Sequence, residues 1–100
     1  MTMTRELQQI HAIVDGRVQG VSYRYFTQQA AYQIGIKGWV RNLHNGTVEV
    51  LAQGTEGQLS KFIEFLRKGS PAAAVKEIEV TWQPCNNHCD IFRIRYSPTA

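Results

Sequence analysis

The segment GRVQGVSYR, residues 16–24, places two glycines and an arginine where strand-like alternation gives way to helical spacing. A helix start leaves backbone N–H groups without intrahelical partners and carries the positive end of the helix dipole. Glycine lets such backbone approach a ligand closely, and phosphate is the usual guest. Arg24, in the first turn, sits against the dipole and calls for an anionic partner. Facing phosphate oxygens, its guanidinium adds a two-pronged charged grip. The alternative is a surface arginine reaching solvent. Between Asp15 and Glu49 the chain has no acidic residue, whereas Arg17, Arg24, Lys37, Arg41 and His44 all fall there. An anion near this stretch meets little repulsion.

The missing acids narrow the chemistry. No carboxylate nucleophile and no carboxylate pair for magnesium is available in that stretch. Ser22 is the hydroxyl beside Arg24 apart from the tyrosines, and no histidine neighbours it in sequence. An activated nucleophile therefore has little to build on. What is left is anion binding plus Asn42, an amide able to orient a water. Water attacking phosphorus directly needs mainly positioning and charge stabilisation. Without metal or general acid it succeeds only when the leaving group is already good. A carboxylate leaving an acyl phosphate qualifies, since its parent acid has a pKa of roughly 4 to 5; an alkoxide leaving an alkyl ester does not.

Periodicity names the elements that must bring these groups together. Residues 8–15 alternate, with Ile10, Ala12 and Val14 on one face of a strand. Tyr23, Phe26, Ala30 and Ile34 are spaced as a helix face over residues 22–34, stopped by Gly35. Residues 36–43 and 47–53 alternate around His44-Asn45-Gly46, a strong hairpin signal. Thr55 and Gln58 form a capping box ahead of Leu59, Phe62, Ile63 and Leu66, and Gly69 ends that second helix. Residues 75–82 alternate with Ile78, Val80 and Trp82 on one face, and residues 91–96 make a short last strand. The order predicts an α+β, ferredoxin-like βαββαβ sandwich. Two helices cover one face of an antiparallel or mixed sheet, with a short fifth strand at the C-terminus. In that topology the start of the first helix and the end of the second strand meet at one edge. Ile36, Gly38, Val40 and Asn42 share a parity, so Asn42 points to the helix-covered side. There it either caps loop backbone or serves a ligand.

One hundred residues, 43% hydrophobic and 19% charged, suit a single globular domain spanning 1–100. A net charge of +3 is mild. No stretch is long and apolar enough for a membrane span, and MTMTRELQQ lacks the apolar core of a signal peptide, so the expected location is the cytoplasm with no membrane partner. Cys85, His88 and Cys89 in CNNHCD put three potential ligands within five residues. Structural zinc takes four, from two separated pairs, and no second pair exists. A polar loop with two free thiols, and no metal site, is the expectation.

The segments VDGRVQGVSYR and GWVRNLHNGTVEVLAQG resemble the two signature motifs of the acylphosphatases, small ferredoxin-like enzymes that hydrolyse carboxyl-phosphate anhydrides such as acetyl phosphate and 1,3-bisphosphoglycerate. The resemblance runs from about residue 8 to about residue 82. It implies that Arg24 binds the phosphate and Asn42 positions the attacking water. The loop of Gln19, Gly20, Val21, Ser22 and Tyr23 resembles the family's phosphate cradle, and Gly16, Gly20, Gly38, Gly46 and Gly54 match the motif glycines. Tyr23 stands where the first motif usually has phenylalanine, so its hydroxyl needs a partner or solvent. The implied enzyme works without cofactor on a small acyl phosphate such as acetyl or benzoyl phosphate, by in-line attack of water, as a monomer that releases inorganic phosphate as product and inhibitor. Two other readings compete. An accessory domain could bind an anion or carbamoyl phosphate without turnover. An RNA-binding module would use the open sheet face, but Gln9, His11, Ile13 and Glu49 there offer no aromatic pair for stacking, and Trp39 alone more readily covers the sheet, so no nucleic-acid partner is expected.

Overall fold

A computed structural model describes residues 6–96. Residues 1–5, on which the reading of the N-terminus partly rests, lie outside them. The elements run β1 (Gln8–Arg17), α1 (Tyr23–Ile34), β2 (Lys37–Asn42), β3 (Val48–Gly54), α2 (Glu56–Lys68), β4 (Ala74–Pro84) and β5 (Phe92–Arg95). The five strands form one sheet in the order β4-β1-β3-β2-β5. Every pairing is antiparallel except that of β5 with β2, so the sheet is mixed. The βαββαβ order and the single sheet are those expected from the periodicity. No helix among the described residues is long and apolar enough to cross a membrane.

Local signals account for the elements. Thr55 Oγ1 accepts the Gln58 backbone N–H at 3.2 Å, and Gln58 Oε1 accepts the Thr55 N–H at 2.9 Å, closing the capping box that starts α2. In the β2–β3 turn the Asn45 side chain accepts from the Thr47 N–H at 3.1 Å and from its hydroxyl at 2.6 Å, and Gly46 takes a positive φ of 92°. The core lies between the sheet and the helices. Ile10, Val14, Val40 and Val50 from the sheet meet Leu59 and Phe62 of α2, all fully buried. Phe92 of β5 joins them edge-on against Phe62, with ring centroids 5.7 Å apart.

The face of α1 differs from the sequence reading. The buried positions of α1 are Tyr23, Thr27 and Ala31, not a row through Phe26, which is 36% exposed. They recur every four residues, and Thr27 contributes its methyl to a stripe that a count of apolar types passes over. Trp82, which shares a strand face with Ile78 and Val80, is 43% exposed. It pairs with Ile10 near the end of an edge strand.

Gly38 shows how tightly β2 is set. Its φ is 141°, and a Cβ there would collide with the Leu51 carbonyl of β3. Gly38→Ala therefore has to displace sheet backbone as well as adopt a strained dihedral. It is expected to lower unfolding free energy by about 2–4 kcal/mol, read as a lower urea midpoint at unchanged slope.

Candidate active site

The end of β1, the start of α1 and the end of β2 meet at one edge of the sheet, where a concavity of about 310 Å³ opens. Val18, Gly20 and Ser22 line it from the β1–α1 loop, Tyr23, Arg24 and Tyr25 from the first turn of α1, and Asn42 from β2. Arg24 and Asn42, 18 positions apart in the chain, thus share one wall-to-wall space, as the strand parity required.

The helix start differs from that of α2 in a way that bears on ligands. Ser22 precedes α1 in the left-handed region, φ 61° and ψ 25°, and its hydroxyl caps nothing. It is the single non-glycine residue with positive φ among those described. Such backbone is strained for a residue with a Cβ, and strain of this kind concentrates at ligand clamps. The first helical bond runs from the Phe26 N–H to the Ser22 carbonyl at 3.1 Å. No side chain caps the N–H groups at this helix start, and no acidic residue lies in the first turn. Gly20 has φ 75°, and a Cβ on it would meet nothing within 4 Å, so the backbone here lies open to a guest.

Three side chains pin this loop through four hydrogen bonds, none of them evident in the sequence. Gln19 Nε2 donates to the carbonyls of Leu43 and Thr47, both at 2.8 Å, tying the loop to the hairpin that carries Asn42. The Ser70 hydroxyl donates to the Val21 carbonyl at 2.7 Å. The buried Tyr23 hydroxyl donates to the Leu66 carbonyl at 2.7 Å, in the last turn of α2, where carbonyls lack helical partners. Burial raises the Tyr23 pKa far above its ordinary value, so the phenol stays neutral and serves as a strut. Gln19 and Val21 do not line the concavity. Gly20, Ser22, Tyr23, Arg24 and Asn42 are the sequence-predicted residues that the fold gathers there.

Arg24 reaches the site from α1 and leans on β5. Its Nη1 donates to the Arg95 carbonyl at 3.5 Å, and its guanidinium carbon lies 5.0 Å from the centroid of the Tyr96 ring. Ion pairs among the described residues centre on Glu49, which takes Arg41 at 2.6 Å and His11 at 2.7 Å. Partial burial pushes the Glu49 carboxyl up, but hydrogen bonds and charge from His11 and Arg41 outweigh it and hold the pKa below the ordinary value. Arg41 is thereby neutralised on the opposite face of the sheet, whereas Arg24 has no carboxylate partner among the described residues. Arg24 is thus a cation without a carboxylate partner beside a helix start that no side chain caps.

Other sequence expectations resolve away from this edge. Cys85 and Cys89 are free thiols, half-buried, and no metal-holding group of His, Cys, Asp or Glu occurs among the described residues. Gln53 anchors their loop, accepting from the Cys89 N–H at 2.8 Å and donating to the Asn87 carbonyl at 2.6 Å. On the open face, the guanidinium groups of Arg95 and Arg41 lie 4.8 and 5.4 Å from the Trp39 ring centroid, so that ring is partly covered.

Comparison with known proteins places the chain in a family. A model of the acylphosphatase family matches residues 10–94. The crystal structure of an acylphosphatase from Bacillus subtilis superposes with a TM-score of 0.87 at 44% identity, over 89% of this chain and 99% of that one. An acylphosphatase structure from Coxiella burnetii gives 0.84 at 33% identity, over 90% and 94% of the two chains. The acylphosphatase of Dehalococcoides mccartyi strain 195 is 43% identical over 88 residues, 87% of this chain and 97% of its own length.

Proposed function

The chain belongs to the acylphosphatase family and is an acid-anhydride hydrolase acting on small acyl phosphates, and from that premise we propose how its residues divide the work. The uncapped N–H groups at the start of α1 and the backbone around Gly20 hold the phosphoryl oxygens. Arg24 closes over the same oxygens, and Asn42 aims a water at phosphorus from β2. The single observation that supports this reading best is the shared concavity of Arg24, Asn42 and the left-handed Ser22 turn.

Electrostatics then favours attack by water without a covalent intermediate. Charge builds on the equatorial oxygens as the acyl group departs, and the guanidinium and helix end are already aimed at it. The residues lining the concavity include no Asp, Glu, His or Cys. The water's proton therefore passes to the phosphoryl group or to solvent, and the carboxylate leaves without a general acid. That lining holds no carboxylate with which to bind a hard cation. The single domain acts as a soluble monomer in the cytoplasm, and orthophosphate, the product, competes for the same cradle.

The leaving group makes the sharpest test. Benzoyl phosphate is expected to be hydrolysed at least about 10⁴-fold faster than a simple alkyl phosphate monoester, because no acid is present to protonate an alkoxide. Excess EDTA is expected to leave the rate unchanged. Comparable rates on the two substrates, or loss of activity with EDTA, would refute the mechanism.

A further inference from the structure

The phosphate end of the substrate is accounted for by α1, the loop and Arg24; the acyl end is not. Three aromatic rings stand around that end of the site. Tyr25 lines the concavity with Arg24 and Asn42 and is 54% exposed. Its ring is set edge-on against Phe26, with centroids 5.4 Å apart and an interplanar angle of 83°. Tyr96, 77% exposed, lies against the Arg24 guanidinium on the β5 side. A single exposed tyrosine needs no explanation, but an aromatic ring at the mouth of a small polar cleft is a different matter. The edge contact with Phe26 limits the rotamers of Tyr25, so little freedom is lost when a guest packs on it.

Resting on the acyl phosphatase reading of this site, we propose that Tyr25 is a specificity-determining residue whose ring receives the acyl group, and that the preferred substrates are acyl phosphates with a planar aromatic or large apolar acyl group. In-line geometry supports it. The acyl oxygen departs opposite the water, and therefore away from Asn42, so the acyl group is left against the rest of the lining. Ser22, Gly20 and Arg24 are committed to phosphoryl oxygens. Val18 and Tyr23 also line the space but are buried, so Tyr25 is the lining side chain with exposed apolar area to offer, and Tyr96 extends that surface beyond Arg24. An acetyl group is too small to cover such a ring, while a benzoyl group stacks on it. The gain is in binding, so it appears in KM more than in kcat.

The test compares kcat/KM for benzoyl phosphate and for acetyl phosphate in wild type, Tyr25→Phe and Tyr25→Ala, with orthophosphate inhibition measured alongside. Intrinsic reactivity of the two substrates cancels when each variant's ratio is divided by that of wild type. Tyr25→Phe is expected to keep the ratio within about twofold, and Tyr25→Ala to lower it about tenfold through KM for benzoyl phosphate, the scale of one lost aromatic contact. An unchanged ratio in Tyr25→Ala overturns the acyl-site assignment. So does an equal loss on both substrates accompanied by weaker orthophosphate inhibition, which would place Tyr25 in phosphate binding. Either outcome leaves hydrolysis by wild type, and with it the reading of the site, intact. Failure of wild type to turn over both substrates would instead remove that reading and the proposal together.

Discussion

Arg24→Ala is expected to lower kcat/KM for benzoyl phosphate by about 10³-fold or more, the scale of losing an arginine from a phosphoryl-transfer site. Orthophosphate is expected to stop competing in the same variant. The guanidinium is the one charged group lining the concavity, and no carboxylate among the described residues holds it back from a ligand. Its contacts to the Arg95 carbonyl at 3.5 Å and the Tyr96 ring at 5.0 Å orient it without neutralising it. Those contacts are exposed and weak, so removing the side chain costs little stability, and thermal unfolding is expected to stay near that of wild type. Arg24→Lys separates charge from geometry. A lysine keeps the positive charge and loses the planar fork, so partial orthophosphate binding with most turnover lost is the expected pattern. Full activity in the lysine variant would mean that charge alone suffices. Near-normal activity in the alanine variant would remove Arg24 from the site.

Asn42→Ala is expected to lower kcat by about 10²–10³-fold while orthophosphate inhibition stays within about threefold of wild type. Asn42 comes to the concavity from β2, across from the helix end that offers N–H groups, and it carries no charge with which to hold phosphate. A group that orients the nucleophile affects the transition state more than the ground state, so the loss falls on kcat rather than on KM. Asn42→Asp is the stricter control: it keeps the shape and places a negative charge beside the incoming phosphate, so both binding and turnover fall. If Asn42→Ala weakened orthophosphate and turnover in parallel, the residue would be a phosphate ligand. If neither changed, it would be capping backbone.

Both predictions depend on distances that the linear order conceals. The alternation of residues 8–15 and the helical spacing after Leu59 fix which side chains face inward, since a period of two or of 3.6 is a local property. The capping box at Thr55 and Gln58 and the Asn45-Gly46 turn were equally legible, because each spans four residues or fewer. The row through Phe26 failed for a definable reason. Residue type alone ranks phenylalanine above threonine for burial, whereas the helix sits against the sheet along Tyr23, Thr27 and Ala31. The parity of Trp82 with Ile78 and Val80 was legible too, but not its exposure near the end of an edge strand.

The sequence by itself determined the elements, the strand parity that aims Asn42 at the helix side, the glycines that open the loop, and the motif that marks Arg24. Each rests on spacings of a few residues and on steric rules that need no partner. Tertiary structure decided what holds these parts in register. Gln19 bridges 24 residues to Leu43, Tyr23 reaches 43 residues to Leu66, and Arg24 leans on Arg95 across 71. It decided too that β5 runs parallel to β2, which brings Arg95 and Tyr96 to the Arg24 guanidinium, and that Tyr25 borders the concavity. Hydrogen bonds and ring contacts between distant segments have no periodic signature, because they depend on how sheet and helices are stacked and not on neighbours along the chain.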